Sequence, residues 1–355
     1  MANGISIKVT DNFEKEKYDS FVSSNPYTSI FQSLEMAEVY KKNIDTEPLI
    51  LVAINENNGE ILASLLAKKM QAKKGFLSSF SVHSTIRGGP IFKNTEDGVE
   101  AISFLLKEYN NLANKWGPLY TRIHPLFDTP QIISEYHKNE YEYSVWNNFL
   151  INLNRPVEDV WRDLDKYKRK NVNRAIKKGL CIEEINEKSI VPVFYEFLSQ
   201  NYTERKQPLE DISNFEAIFD ILIPKGMAKL FVAKFKDEYA AMRLVLLYKG
   251  VVYDWYTGDS KKFLSLYPND LLVWHILKWG VENGFQTFDF GGGGTSDQIA
   301  EGWVEFKKRF GGRLINYGRY TKVHQQKKLW IAEKVFKVYK KVKFYKKNTR
   351  KVSEK

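Results

Sequence analysis

Two stretches of this chain follow one plan. LVAINENNGEILASLLAKK, from Leu51, and FVAKFKDEYAAMRLVLLYKG, from Phe231, each read as strand, polar turn, strand. Each follows a segment with apolar residues at helical spacing: SIFQSLEMAEVYKK in the first half and VPVFYEFLSQNYTERK in the second. A supersecondary unit used twice constrains the fold more than any single motif does. The chain is therefore expected to be α/β (α+β) and built from two copies of one unit, the second starting near residue 151. Its 355 residues agree, because a single core stops growing at roughly 250–300 residues.

The second copy continues legibly. VVYDWYTG is strand-like, DSKKFLSLYP is a loop, and NDLLVWHILKWGVENG reads as a helix. Asn269 would cap that helix, Leu272, Ile276 and Trp279 recur at its period, and Gly284 can end it. QTFDFGG then returns as a strand. Between the copies, WRDLDKYKRKNVNRAIKKGL reads as a short basic helix ended by Gly179. After EEINEKSI the chain runs straight into the next helix, so no coiled-coil insertion is expected. The tail, QKKLWIAEKVFKVYKKVKFYKKNTRK, is helix-compatible, with Leu329, Ala332, Val335, Phe336, Tyr339 and Val342 on one stripe and Trp330, Val338 and Phe344 off it.

Charge is uneven. The net +11 resides in residues 321–355, where thirteen Lys and Arg face two acids; the remainder holds 41 basic and 41 acidic residues. A body-wide nucleic-acid surface is thereby disfavoured. The single cysteine, Cys181, excludes an intramolecular disulfide frame and fits a reducing compartment. At the start of a strand-like run it is expected to be a buried structural thiol. The five histidines are scattered, so no metal site is expected. With no signal-peptide core and no run of about 18 apolar residues, a cytoplasmic protein is expected.

The run FDFGGGGTSDQIAEGWVEFKKRFGG, Phe288 to Gly312, has four consecutive glycines. It lacks the lysine of a phosphate-binding loop and the third glycine of a dinucleotide fingerprint, where Ser296 stands. DFGG followed by EFKKRFGG resembles the closing segment of the Fem-type aminoacyltransferases. KYKRKNVNRAIKKGL is similar to the basic helix that opens their second domain, and NPYTSIFQSLEMAEVYKK to their N-terminal segment. RGGP (Arg87 to Pro90) and RIHP (Arg122 to Pro125) stand where that family has comparable turns. The resemblance covers about residues 20–320.

The resemblance implies two tandem GNAT-like domains, 1–150 and 151–320, the second carrying an acceptor groove, with a basic amphipathic tail at 321–355. It implies transfer of an aminoacyl group from aminoacyl-tRNA to an amine of a peptidoglycan stem peptide, on a UDP-linked or lipid-linked muropeptide. No metal or organic cofactor is implied. Lys307 matches the family lysine that faces the substrate phosphates and the developing oxyanion; its plainer reading is a solvated surface lysine. Phe306 lines the groove or packs in the core. Arg174 pairs with the diphosphate or belongs to a charged helix face. Tyr256 lines the groove or is a half-buried strand tyrosine. His124 replaces the acid usual in the R-x-[DE]-P turn, and either acts as a general base or is structural.

A rival enzyme reading is an acyl-CoA-dependent N-acyltransferase acting on an amino sugar of a surface polysaccharide. Against it, DSKKFLSLYPND has no glycine, and Pro268 lacks an N–H to offer a pyrophosphate. A third reading is a GNAT-fold binding module without turnover. The tail is open to three readings: peripheral contact with the anionic inner membrane surface, contact with the tRNA backbone, or a solvated terminus.

Overall fold

The computed structural model describes residues 6–71, 81–205, 207–294, 302–332 and 334. Strand β1 (Ile7–Thr10) and helices α1 (Lys15–Ser24) and α2 (Leu34–Lys42) lead into a long hairpin of β2 (Thr46–Asn55) and β3 (Glu60–Gln71). Then come β4 (Val82–Gly88), β5 (Ile91–Phe92), the long helix α3 (Glu96–Trp116), β6 (Tyr120–Pro125), α4 (Ile133–Lys138) and β7 (Glu142–Ser144). The second half runs β8 (Asn147–Asn152), α5 (Val157–Asp163), α6 (Lys166–Lys177), β9 (Leu180–Ile185), α7 (Val191–Arg205) and α8 (Ile212–Ile221). It continues through β10 (Ala228–Phe235), β11 (Glu238–Tyr248), β12 (Val251–Asp259), α9 (Pro268–Glu282), β13 (Thr287–Gly294), α10 (Gly302–Lys308), β14 (Arg313–Asn316) and β15 (Arg319–Val323).

These strands form two sheets. The first has the order β1-β2-β3-β4-β6-β15-β7, with β5 on β3; the second has the order β14-β8-β13-β12-β11-β10-β9. The repeat seen in the sequence reappears in the topology. Each sheet holds an antiparallel hairpin followed by a strand, a helix and a parallel strand: β4 with β6 in the first, β12 with β13 in the second. Burial explains the strands. β4 and β6 alternate strictly between buried and part-exposed residues, with Ser84, Ile86, Thr121 and Ile123 inward.

Several sequence expectations need correction. Residues 319–323, placed at the junction with the tail, form β15, which lies between β6 and β7 of the first sheet. The single basic helix between the copies is two helices. The chain breaks at Leu164, and Asp165 caps α6 by accepting from the Tyr167 amide at 2.7 Å. Asn269 does not cap α9: the cap is Tyr267, in the left-handed region, and Pro268 takes the first helical position. The Asn269 amide instead donates to Asp259 at 2.6 Å. Cys181 is exposed, because β9 is an edge strand that turns Leu180 inward and Cys181 outward. Of the tail, residues 326–332 are helical, and most of the proposed apolar stripe lies outside the described residues.

The two halves share a core. Phe31, Met36, Val39 and Tyr40 pack with Phe194, Phe215, Leu230, Met242, Leu244 and Tyr253 of the second. Lys68 on β3 pairs with Glu210 at 2.8 Å, and Asn43 donates to the same carboxylate at 2.9 Å. Both partners of the ion pair are largely buried, so this bond fixes how the sheets face each other. Gly88 needs to be glycine on two counts. Its φ is +84°, and a Cβ there would lie 2.2 Å from the Gln32 amide nitrogen. That amide donates to the carbonyls of Arg87 and Gly89, so the turn holds Arg87 in place.

Candidate functional site

Strands β12 and β13 pair only from Val251–Thr287 to Tyr253–Asp289, and then part. The parting has two causes. A β-bulge in β12 opposite Leu244 and Val245 leaves Trp255 as the extra residue. On the other strand, Gly291 takes φ +72°. The bulge turns Tyr256 into the core and Trp255 toward the first sheet. The resulting cleft exposes the carbonyls of Phe290 and Gly292.

Lys307, on α10, fills this cleft. Its ammonium donates to the carbonyl of Phe290 and, at 3.0 Å, to that of Gly292. The glycine run is thus a set of carbonyls presented to a cation. Burial pushes Lys307 down to about 8, against the opposing pull of Asp254 and Asp289 and with the push of Arg243 and Arg87. Asp254 is held by the buried Arg243, whose Nη1 sits 2.7 Å from both carboxylate oxygens. Asp289 is buried, and burial raises its pKa against the Gly291 amide, which donates to it at 2.8 Å.

The first sheet completes the site from the opposite side. The Arg87 guanidinium lies between the rings of Phe31 and Trp255, at 4.9 and 4.5 Å. His124 sits beside it on β6 and packs edge-on against Trp146 at 5.7 Å. The same indole approaches Gly292, where a Cβ would come within 3.3 Å of it, so Trp146 links the histidine to the Lys307 cleft. Burial drives His124 down to about 3, helped by Arg87, Arg319 and Arg122. The imidazole is therefore neutral at physiological pH.

The remaining expected residues fall elsewhere. Phe306 is half-buried on α10 and packs with Phe290 and Phe310, while the Lys168 ammonium lies 3.6 Å above its ring. Tyr256 is core: its ring meets Phe215 at 4.8 Å and Tyr202 at 6.0 Å, and burial raises its pKa well above the ordinary value. Arg174 stands exposed on α6 and is not among the charges acting on Lys307. Sequence reasoning missed Arg87, Asp289 and Trp146. The first two stand in the RGGP and DFGG motifs, which were the available signal.

Comparison with known proteins agrees with this architecture. Residues 13–144 match the model of the FemAB family, and residues 166–308 match that of the acetyltransferase (GNAT) domain. No curated protein matches the sequence. The crystal structure of FemX superposes with a TM-score of 0.68 at 17% identity, covering 90% of this chain and 98% of that one. L-PGS from Bacillus licheniformis gives 0.55 at 15% identity, over 90% of this chain and 96% of that one. A tandem GNAT protein from the clavulanic acid biosynthesis pathway gives 0.56 at 10% identity, over 90% and 99%.

Proposed function

The chain is an acyltransferase of the Fem-type tandem GNAT family, and from that premise we propose that it transfers an aminoacyl group from aminoacyl-tRNA to an amine of a peptidoglycan precursor. The observation that carries this reading is the Lys307 ammonium held in the cleft between β12 and β13. The neutral acceptor amine attacks the ester carbonyl, negative charge gathers on the carbonyl oxygen, and Lys307 stabilises it. Collapse of the tetrahedral adduct expels the ribose hydroxyl. Asp254 and Asp289 keep the lysine charged against its burial. An imidazole whose pKa lies near 3 is a weak base. We assign no proton step to His124, and the amine's proton passes to water or to the substrate.

The start of α9 supports an aminoacyl rather than an acyl-CoA donor. In a CoA-dependent unit this helix N-terminus would receive the pyrophosphate. Here Asp270, in the first turn of α9, is buried and paired with Lys168 at 2.6 Å. Asp259 is tied to Asn269 just outside it. Two carboxylates at that end repel a pyrophosphate. The test is donor discrimination: labelled aminoacyl-tRNA or labelled acetyl-CoA is offered with muropeptide and amino-sugar acceptors. Label moving from tRNA to a muropeptide supports the proposal. Label moving only from acetyl-CoA replaces it with the amino-sugar N-acyltransferase.

The cationic role of Lys307 predicts a pH profile. A lysine titrating near 8 loses its charge as pH rises through that value, so kcat/KM should fall about tenfold per pH unit above it. Arginine stays charged throughout. Lys307→Arg, if active, should therefore lack this alkaline limb. An unchanged limb in that variant would assign the titration to another group.

Among the described residues no helix is long and apolar enough to cross a membrane. We propose that the basic tail brings the enzyme to the anionic inner leaflet. Removal of residues 333–355 should reduce flotation with anionic vesicles severalfold; unchanged flotation would overturn the assignment.

A further inference from the structure

His124 has an arginine on each side. Arg87 pairs with it across β4 and β6. Tyr320 pairs with Ile123, which sets Arg319 beside His124 on β15. Arg122 lies two residues along β6, on the same face. Adjacent strands are about 4.8 Å apart, so the arginines occupy a compact row on one face of the first sheet. None of the three has a carboxylate within ion-pair distance among the described residues. The Nε atoms of Arg87 and Arg122 are buried without a hydrogen-bond partner. Each guanidinium rests on a ring instead: Arg87 on Phe31 and Trp255, Arg122 on Tyr120 at 4.4 Å, Arg319 on Trp146 at 4.7 Å. Arg319 is also braced by Ser144 at 3.2 Å.

Three like charges gathered without a counter-charge are costly unless an anion is a regular occupant. Stacking holds each guanidinium flat and leaves its edge free to donate. A carboxylate has only two oxygens and cannot satisfy three forks, whereas a diphosphate offers several oxygens along a short chain. We propose that Arg87, Arg122 and Arg319 form a diphosphate site, with neutral His124 at its centre as a further hydrogen-bond donor. The site places the carrier's diphosphate on the first sheet rather than on the exposed Arg174 of α6. That the diphosphate belongs to the acceptor's carrier rests on the transferase reading. The existence of the anion site does not.

The experiment is a titration of the full chain with inorganic pyrophosphate, followed by calorimetry and by histidine NMR with His124 assigned through His124→Asn. Saturable binding at about millimolar concentration or tighter is expected. Bound anion offsets the arginine charges, so the His124 titration should move upward from about 3. Arg122→Gln and Arg319→Gln should each weaken binding about tenfold or more. These are two independent variants at part-exposed positions, so misfolding of one leaves the other informative. No saturable binding, or binding that both variants retain, overturns the site. Binding lost in Arg174→Gln but kept in the other two moves the diphosphate to α6 and also overturns it. UDP and farnesyl diphosphate distinguish the sources: tighter binding of the first indicates a nucleotide-linked carrier, of the second a lipid-linked one. Either supports the site. Because binding is read without turnover, a failed transfer assay leaves this result standing, and a failed titration leaves the transferase reading standing.

Discussion

Lys307→Met is expected to lower kcat by about 10²–10³-fold with KM changed only severalfold. The magnitude is that of removing one preorganised donor from a developing oxyanion, about 2.7–4 kcal/mol. The split between kcat and KM follows from timing. The ground-state ester carbonyl carries little charge, so the ammonium discriminates in favour of the adduct. Methionine keeps the length of the side chain, but it leaves the carbonyls of Phe290 and Gly292 without their donor. The fold should tolerate this, because the cleft is open on one side and water can take the vacated place. Steady-state kinetics together with far-UV circular dichroism decides the matter. A variant with unchanged kcat and native structure would reduce Lys307 to a strut between β13 and α10, and the proposed chemistry would lose its main part.

Arg87 shows why the site was only partly legible beforehand. The alternation in LVAINENNGEILASLLAKK and FVAKFKDEYAAMRLVLLYKG writes the two hairpins into the sequence, since a period of two survives without knowledge of the partner strand. The parting of β12 and β13 was legible only as an order of elements. Nothing local in RYTKV says that it will cross back to lie beside β6, some 200 residues earlier in the chain. Arg319 therefore could not be seen as a neighbour of His124. Arg87 and Asp289 stand in quoted motifs, yet their proximity exists only once two sheets face each other over the shared core. Lys307 was found through resemblance, and geometry now supplies its physical setting. Tyr256 and Arg174 were drawn from the same source. The bulge at Trp255 turns the first into the core, and the outward face of α6 carries the second away from the cleft.

Asp270→Ala should cost about 3–5 kcal/mol of stability, the usual loss when a buried ion pair is left with one member. The Lys168 ammonium is almost wholly buried and has Asp270 as its only carboxylate among the described residues. Its other neighbours are the faces of Phe306 and Phe310, at 3.6 and 4.8 Å. Asn171 donates to the second oxygen of Asp270 at 2.7 Å, so the truncation also strands an amide. Burial already lowers the pKa of Lys168, and Asp270 is the first of the groups opposing that shift. Without the carboxylate, the lysine is expected to give up its proton rather than remain charged in an apolar setting. The double variant Lys168→Met, Asp270→Leu removes both charges and keeps most of the volume, so its loss should be small, or even a gain. Chemical denaturation of the four proteins closes the cycle. A single-variant loss below about 1 kcal/mol would mean that water reaches the pair. The double variant also separates stability from function. Lys168 bears on the ring next to Lys307 in the chain, so a stable double variant with reduced kcat would make the pair a device for aiming α10. A stable double variant with full activity would confine its role to the fold.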